Sequence, residues 1–139
     1  MEKISFDNGI RQFQVNGEGI LRFQPADPNL YSRFSQAGEK IRKLEMELLK
    51  ESTGDSLDLL TRADRQIKEL LTWAFGADND FDEIFQGVNV LAVAENGQQV
   101  ITNFLEALEP VITAGVKSYV NQQVEAARQK AQARREGQR

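Results

Sequence analysis

The chain contains neither cysteine nor histidine in its 139 residues. Without cysteine it has no disulfide, no thiolate nucleophile and no cysteine ligand for zinc. Without histidine it lacks the usual general base near neutral pH and the imidazole ligands of many metal sites. These absences disfavour catalysis, so we expect a protein that is not an enzyme and that uses no cofactor or metal.

Long apolar runs are also missing. No segment approaches the roughly 18 uninterrupted apolar residues that a membrane span needs, and the N-terminus has no apolar run of signal-peptide length. The composition, 40% hydrophobic and 27% charged, is that of a globular protein. We therefore expect one cytoplasmic domain without membrane contact, because 139 residues are enough for a single hydrophobic core.

The formal net charge of −4 is unevenly distributed. Residues 128–139 hold five basic side chains against one glutamate, a charge of +4, which leaves −8 for residues 1–127. Residues 125–139 favour helix by propensity but have almost nothing to bury, and such helices are marginal in water. We expect this basic tail to fray unless a partner binds it through side chains such as Arg128, Lys130, Arg134 and Arg135.

The N-terminal region has the alternation of half-buried strands. Apolar and polar residues alternate at Ile4 and Phe6, then at Phe13 and Val15, then at Leu21 and Phe23. Asparagine and glycine separate the three runs and supply the positive φ angles of tight hairpins. The pattern predicts a three-stranded antiparallel meander over residues 3–24, with one face packed on a helical bundle.

Residues 28–123 are predicted to be mainly helical. Asp27 and Pro28 are a favourable N-cap and first helical residue. Apolar stripes then follow at helical spacing, first Leu30, Phe34, Ala37, Ile41, Leu44 and Leu48, and later Leu60, Ala63, Ile67, Leu70 and Ala74. Gly54 and Asp55 are expected to separate these two helices, and Gly76 to end the second. Pro110 interrupts a third apolar stripe, and we expect two helical segments to meet there.

This organisation gives an α+β fold, with residues 1–124 as one domain and 125–139 as the basic helical tail at the C-terminus. Residues 77–97 are harder to assign. Their apolar part, residues 88–94, fits either a buried helical segment or an extended link, since periodicity does not separate the two.

Residues 77–87 are acidic and aromatic, and we call them the acidic segment. Two kinds of site are considered there, a metal site and a protein-binding site. Asp78, Asp80 and Asp82 have the alternate spacing that opens a calcium-binding loop, but Glu83 and Asn89 stand where that loop needs glycine and glutamate. We therefore favour a surface loop that caps a short helix, without a metal. Phe81 and Phe85 are either core residues, which is the commoner role, or exposed anchors for a partner protein.

Two stretches of the chain resemble a known family. Residues 21–34, Leu-Arg-Phe-Gln-Pro-Ala-Asp-Pro-Asn-Leu-Tyr-Ser-Arg-Phe, resemble the opening of tail assembly chaperones from long-tailed phages and prophages of Gram-positive hosts. Residues 85–97 and 102–110 resemble the second half of the same family. In that family a second glycine often follows the phenylalanine, where this chain has Gln86.

The resemblance implies a function in tail assembly. Such chaperones coat the helical tape measure protein, recruit tail tube subunits, act in the host cytoplasm and are absent from the mature virion. A frameshift often produces a longer form with an added C-terminal domain, and this chain would be the short form. The alternatives are a protein-binding adaptor for another partner and, less favoured, a nucleic-acid-binding regulator that uses the basic tail.

Overall fold

A computed structural model describes residues 1–50 and 56–137, which form an α+β fold with mainly helical content. A two-stranded antiparallel sheet comes first, with β1 at Arg11–Val15 and β2 at Gly19–Phe23. Four helices follow, α1 at Pro28–Lys50, α2 at Ser56–Phe75, α3 at Phe81–Ile84 and α4 at Val100–Gly137. The predicted fold class is therefore confirmed at this coarse level, and the three-stranded meander is not.

The hairpin turn forms as the sequence predicts. Asn16 and Gly17 both have positive φ, +50° and +78°, which matches the twist of a tight hairpin. The strands pair in the register Phe13 with Leu21, so that Phe13, Leu21 and Phe23 face the core.

The predicted first strand is absent. Asp7 and Asn8 do form a turn, because their side chains accept hydrogen bonds from the backbone N–H of Gly9 and Ile10. Residues 1–10 nevertheless form no strand, and Ile4 and Phe6 are 89% and 79% exposed. The alternation was a misleading signal, because nothing apolar lies across these side chains and an unsupported strand is marginal.

Helices α1 and α2 pack against each other, and Phe75 at the end of α2 contacts Phe23 of the sheet. Asp27 caps α1 as predicted, accepting a hydrogen bond from the N–H of Asn29 at 2.9 Å. Most of the two apolar stripes lie in the core or against it, although Leu60 is 37% exposed and Leu71 is the more deeply buried leucine of α2. Gly76 ends α2 with φ +114°, and its N–H donates to the Thr72 carbonyl. The predicted break at Gly54 and Asp55 lies outside the described residues.

The apolar run after α3 forms neither a helix nor a strand. Val90 and Leu91 are buried, while the backbone turns back on itself through a bridge between Val93 and Gln99. The carbonyls of Ala92 and Val90 accept from the N–H groups of Val100 and Ile101. The loop therefore satisfies N–H groups at the start of α4 that no helical carbonyl can reach.

Helix α4 runs without interruption through Pro110, so the prediction of two segments was wrong. Proline removes one backbone hydrogen bond, the one to the carbonyl of residue 106. Glu106 and Pro110 both lie on the exposed side of α4. Solvent is thus available where the helical bond is lost, and the apolar residues Phe104, Leu108 and Ile112 hold the two halves on one buried face.

Stacked and edge-on phenylalanine rings connect the hairpin to α4 through the core. Phe75 lies 5.2 Å from Phe23 and 6.0 Å from Phe81, and Phe104 lies 4.9 Å from Phe85, centroid to centroid. Rings at these separations attract one another beyond the area they bury. Within the described residues, no helix is both long enough and apolar enough to cross a membrane.

Candidate protein-binding surface

The second half of α4, residues 116–137, extends away from the core, and we call it the arm. Val116 is half-buried, and every residue from 117 to 137 is exposed. The four predicted basic residues are therefore all on a surface. At about 100° per residue, Lys130 and Arg134 share a face with Val120 and Ala127, while Arg128 and Arg135, seven residues apart, lie on another face.

The arm also has apolar side chains that the core does not cover. Tyr119, Val120 and Val124 are 40%, 50% and 46% exposed. A helix with an apolar edge flanked by cations is typical of a segment that packs on another helix.

A groove of about 440 Å³ lies beside the base of the arm, between α1 and α4. We call it the α1–α4 groove. Its apolar lining comes from Phe34, Ile41, Leu105 and Ile112, and its charged lining from Arg42, Glu45, Glu106 and Glu109. The charged side chains have a net charge of −2, opposite in sign to that of the arm.

Glu45 lies in this groove and is half-buried. Burial raises the pKa of its carboxyl above the ordinary value for glutamate. Gly38 lies in the same groove, and a Cβ built there would meet open space.

Phe81 and Phe85 do not belong to a surface. They are 2% and 8% exposed, and their rings contact Phe75 and Phe104. In this conformation the two residues contribute to the core and leave little area for a partner.

The acidic segment is organised by a helix cap and an ion pair. The Asp80 carboxylate accepts from the N–H groups of Asp82 and Glu83, which caps α3 as the sequence indicates. Asp82 pairs instead with Lys68 at 3.0 Å. Nowhere in residues 1–50 and 56–137 do three potential metal ligands cluster.

Lys68 joins this segment to α2. Its ammonium also lies 3.1 Å from Asp64, whose other oxygen accepts from the Val90 N–H. Burial lowers the pKa of Lys68, but the hydrogen bonds to Asp82 and Asp64 raise it by more, so that the pKa is above its ordinary value. These are the contacts of a structural ion pair that fixes α3 and the following loop.

A second group of exposed apolar residues lies at the end of α1 and the start of α2. Met46, Leu49 and Leu57 are 59%, 81% and 75% exposed. They adjoin residues 51–55, which the structure does not describe.

Sequence reasoning found the arm but missed the α1–α4 groove. The signal was present, because Glu106 and Glu109 lie one turn apart beside Pro110, on the stripe that continues to Val116 and Val120. The groove itself depends on how α1 crosses α4, which no local pattern specifies.

Comparison with known proteins gives no relative for this chain. No protein-family model, no curated protein and no solved structure matches it.

Proposed function

We propose that this protein is a tail assembly chaperone of a long-tailed phage or prophage, whose client is the tape measure protein. The observation that carries the proposal is the arm, a helix with an uncovered apolar edge and five cations beside a groove of opposite charge. A long helical client offers the matching surface, because amphipathic helices bind one another through apolar edges and complementary charges.

The resemblance of residues 21–34, 85–97 and 102–110 to that chaperone family supports the choice of client. It also implies recruitment of tail tube subunits, a possible longer frameshifted form and action in the host cytoplasm. The absence of imidazole and thiol side chains favours binding over catalysis. A chaperone that acts through side-chain contacts alone needs neither group.

The first test is deletion of the arm beyond Val124. Co-expression with the tape measure protein is compared for the full chain and the shortened chain, with soluble client and co-purified complex as the readouts. We expect the shortened chain to lose most client binding and to keep the melting temperature of the monomer, measured in dilute solution, because residues 125–137 bury nothing in the core of their own chain. Normal binding by the shortened chain would contradict the role of the arm.

The second test addresses the identity of the client. An unrelated amphipathic helix of equal length and net charge serves as the matched control for a tape measure segment. Preference for the tape measure segment supports the assignment, and equal binding to both indicates a general adaptor. Nucleic acid is tested at low ionic strength, where binding driven by phosphate contacts is strongest; retention there would contradict the proposal.

A further inference from the structure

The groove-facing side of α4 continues along the whole helix as one stripe. Successive steps of four or three residues keep side chains on one face of a straight helix. From the groove outward, the stripe contains Leu105, Glu109, Ile112, Val116, Val120, Gln123, Ala127, Lys130 and Arg134. Its first three members line the α1–α4 groove, and its members from Val120 onward are exposed.

Two copies of this stripe are complementary to each other when the helices run antiparallel. Turning one copy about an axis between Tyr119 and Val120 places Glu109 opposite Lys130 and Ile112 opposite Ala127. The same operation places Val116 opposite Gln123, and Arg134 opposite Leu105, next to Glu106. Apolar positions then meet apolar or neutral ones, Glu109 meets Lys130, and Arg134 lies beside Glu106.

The acidic and basic residues of α4 are concentrated in different halves of the helix. Residues 100–115 contain Glu106 and Glu109 and no cation, while residues 116–137 contain five cations against Glu125 and Glu136. Opposite charges at facing positions favour a pairing, and like charges disfavour it. A parallel pairing would bring the cations of two arms together, so the charges select the antiparallel one.

The arm cannot reach its own groove. Because α4 is continuous, Glu109 and Lys130 of one chain are 21 positions apart, about 31 Å along the helix. A cationic segment that binds in this groove would therefore come from another molecule, and a second copy provides a segment of the required charge.

We propose that two copies of this chain pair through their α4 helices in an antiparallel arrangement, with the arm of each copy in the α1–α4 groove of the other. Each groove is covered once and each arm is used once, as a two-fold interface requires. The inference rests on the α4 stripe and the groove and not on the identity of any client. The same face of the arm is proposed to bind the client, so a second copy and the client would compete for it.

Charge reversal in solution tests the pairing on the purified full-length chain, without any client. Sedimentation is measured at about 100 µM, where a complex of micromolar affinity is almost fully formed. We expect a dimer for the parent chain, and a rise in the dissociation constant of about tenfold or more for Lys130→Glu with Arg134→Glu. Arg128→Glu with Arg135→Glu is the matched control, because it makes the same change of charge on another face of the arm.

Exchanging the charges of the arm and the groove tests the proposed contact more specifically than charge reversal in the arm alone. Combining Lys130→Glu and Arg134→Glu with Glu106→Lys and Glu109→Lys should recover the dimer, since the charges are exchanged rather than removed. A parent chain that sediments as a monomer would overturn the proposal. Equal weakening by the two arm variants, or no recovery in the exchanged chain, would also overturn it.

Cross-linking tests the direction, and the chain has no cysteine of its own to interfere. Glu109→Cys combined with Lys130→Cys should give a disulfide between two chains, as should Val120→Cys alone, near the axis. Lys130→Cys alone should stay reduced in the antiparallel dimer. A disulfide formed by Lys130→Cys alone would show parallel arms and contradict the inference.

Discussion

The side-chain amide of Asn79 binds both backbone polar groups of Arg22. Its oxygen accepts from the Arg22 N–H at 2.7 Å, and its nitrogen donates to the Arg22 carbonyl at 2.9 Å. Consecutive residues of an antiparallel strand direct these groups to alternate sides. Asn79 therefore takes the place of a neighbouring strand at one residue of β2, and it fastens the loop after α2 to the sheet.

Replacing Asn79 should be among the more destabilising single changes in the chain. Asn79→Ala leaves the Arg22 N–H and carbonyl without their partner in a partly buried site, with an expected loss of about 2–3 kcal/mol in the free energy of unfolding. Chemical denaturation measures it. Asn103→Ala is the control, because the Asn103 side chain bonds only to exposed Asn96, and a change below about 0.5 kcal/mol is expected there. Equal effects of the two variants would contradict the role of Asn79.

The two ion pairs of Lys68 should be unequal in strength. Lys68→Met leaves Asp64, only 17% exposed, without its cation, and we expect a loss of about 2–3 kcal/mol. Asp82 is 81% exposed, so solvent screens its pair and Asp82→Asn should lower stability by less than about 1 kcal/mol. Because the pKa of Lys68 is raised, its contribution is complete at neutral pH and is lost only at strongly alkaline pH. Denaturation of both variants at neutral pH checks the order.

Two helical glycines should respond to alanine in opposite directions. Gly115 of α4 is buried against the backbone of Pro25, and a Cβ there would overlap the Pro25 carbonyl. Gly115→Ala should therefore destabilise the protein by about 1–3 kcal/mol through overpacking. Gly38 faces open space, and Gly38→Ala should add about 1 kcal/mol, the difference in helix propensity. Thermal unfolding of both variants measures these shifts, and equal signs would be inconsistent with the close contact at Gly115.

Gln86 adopts a backbone conformation that suits glycine. Its φ is +54°, in the left-handed region where a Cβ is unfavourable. Gln86→Gly should raise the free energy of unfolding by about 0.5–1 kcal/mol. Gly87, with φ +74°, is the converse control, and Gly87→Gln should lower it.

The pH dependence of the free energy of unfolding should include a contribution from the carboxyl of Glu45. Burial raises the pKa of its carboxyl in the folded chain, so the ionised group opposes folding once the pH exceeds that value. Glu45→Gln should therefore be more stable than the parent at neutral pH, and the difference should shrink as the pH falls through the raised pKa. Melting temperatures measured across this range test the sign. A variant that is less stable at neutral pH would contradict it.

Features set by neighbouring residues were predictable from the sequence. The Asp27 cap, the Asn16–Gly17 turn, the α1 stripe, the end of α2 at Gly76 and the Asp80 cap all depend on a few adjacent side chains.

Features that depend on residues distant in the chain were not predictable from the sequence. The alternation at Ile4 and Phe6 is that of a strand, but strand pairing needs a covering surface that the sequence does not reveal. Pro110 breaks an isolated helix, whereas buried side chains on both sides of it hold α4 together. The contact of Asn79 with Arg22 spans 57 positions in the chain, and no local pattern anticipates it.

The continuity of α4 has a mechanical consequence. A helix of 38 residues is about 57 Å long, and the buried side chains of its first half belong to the core. A partner that binds the far end of α4 can apply a force to the helix, which would then pivot at the contact between Gly115 and Pro25. A pull at Arg134 is thus transmitted to the turn that joins β2 to α1, so that a load on the tip and the packing of the core are mechanically linked.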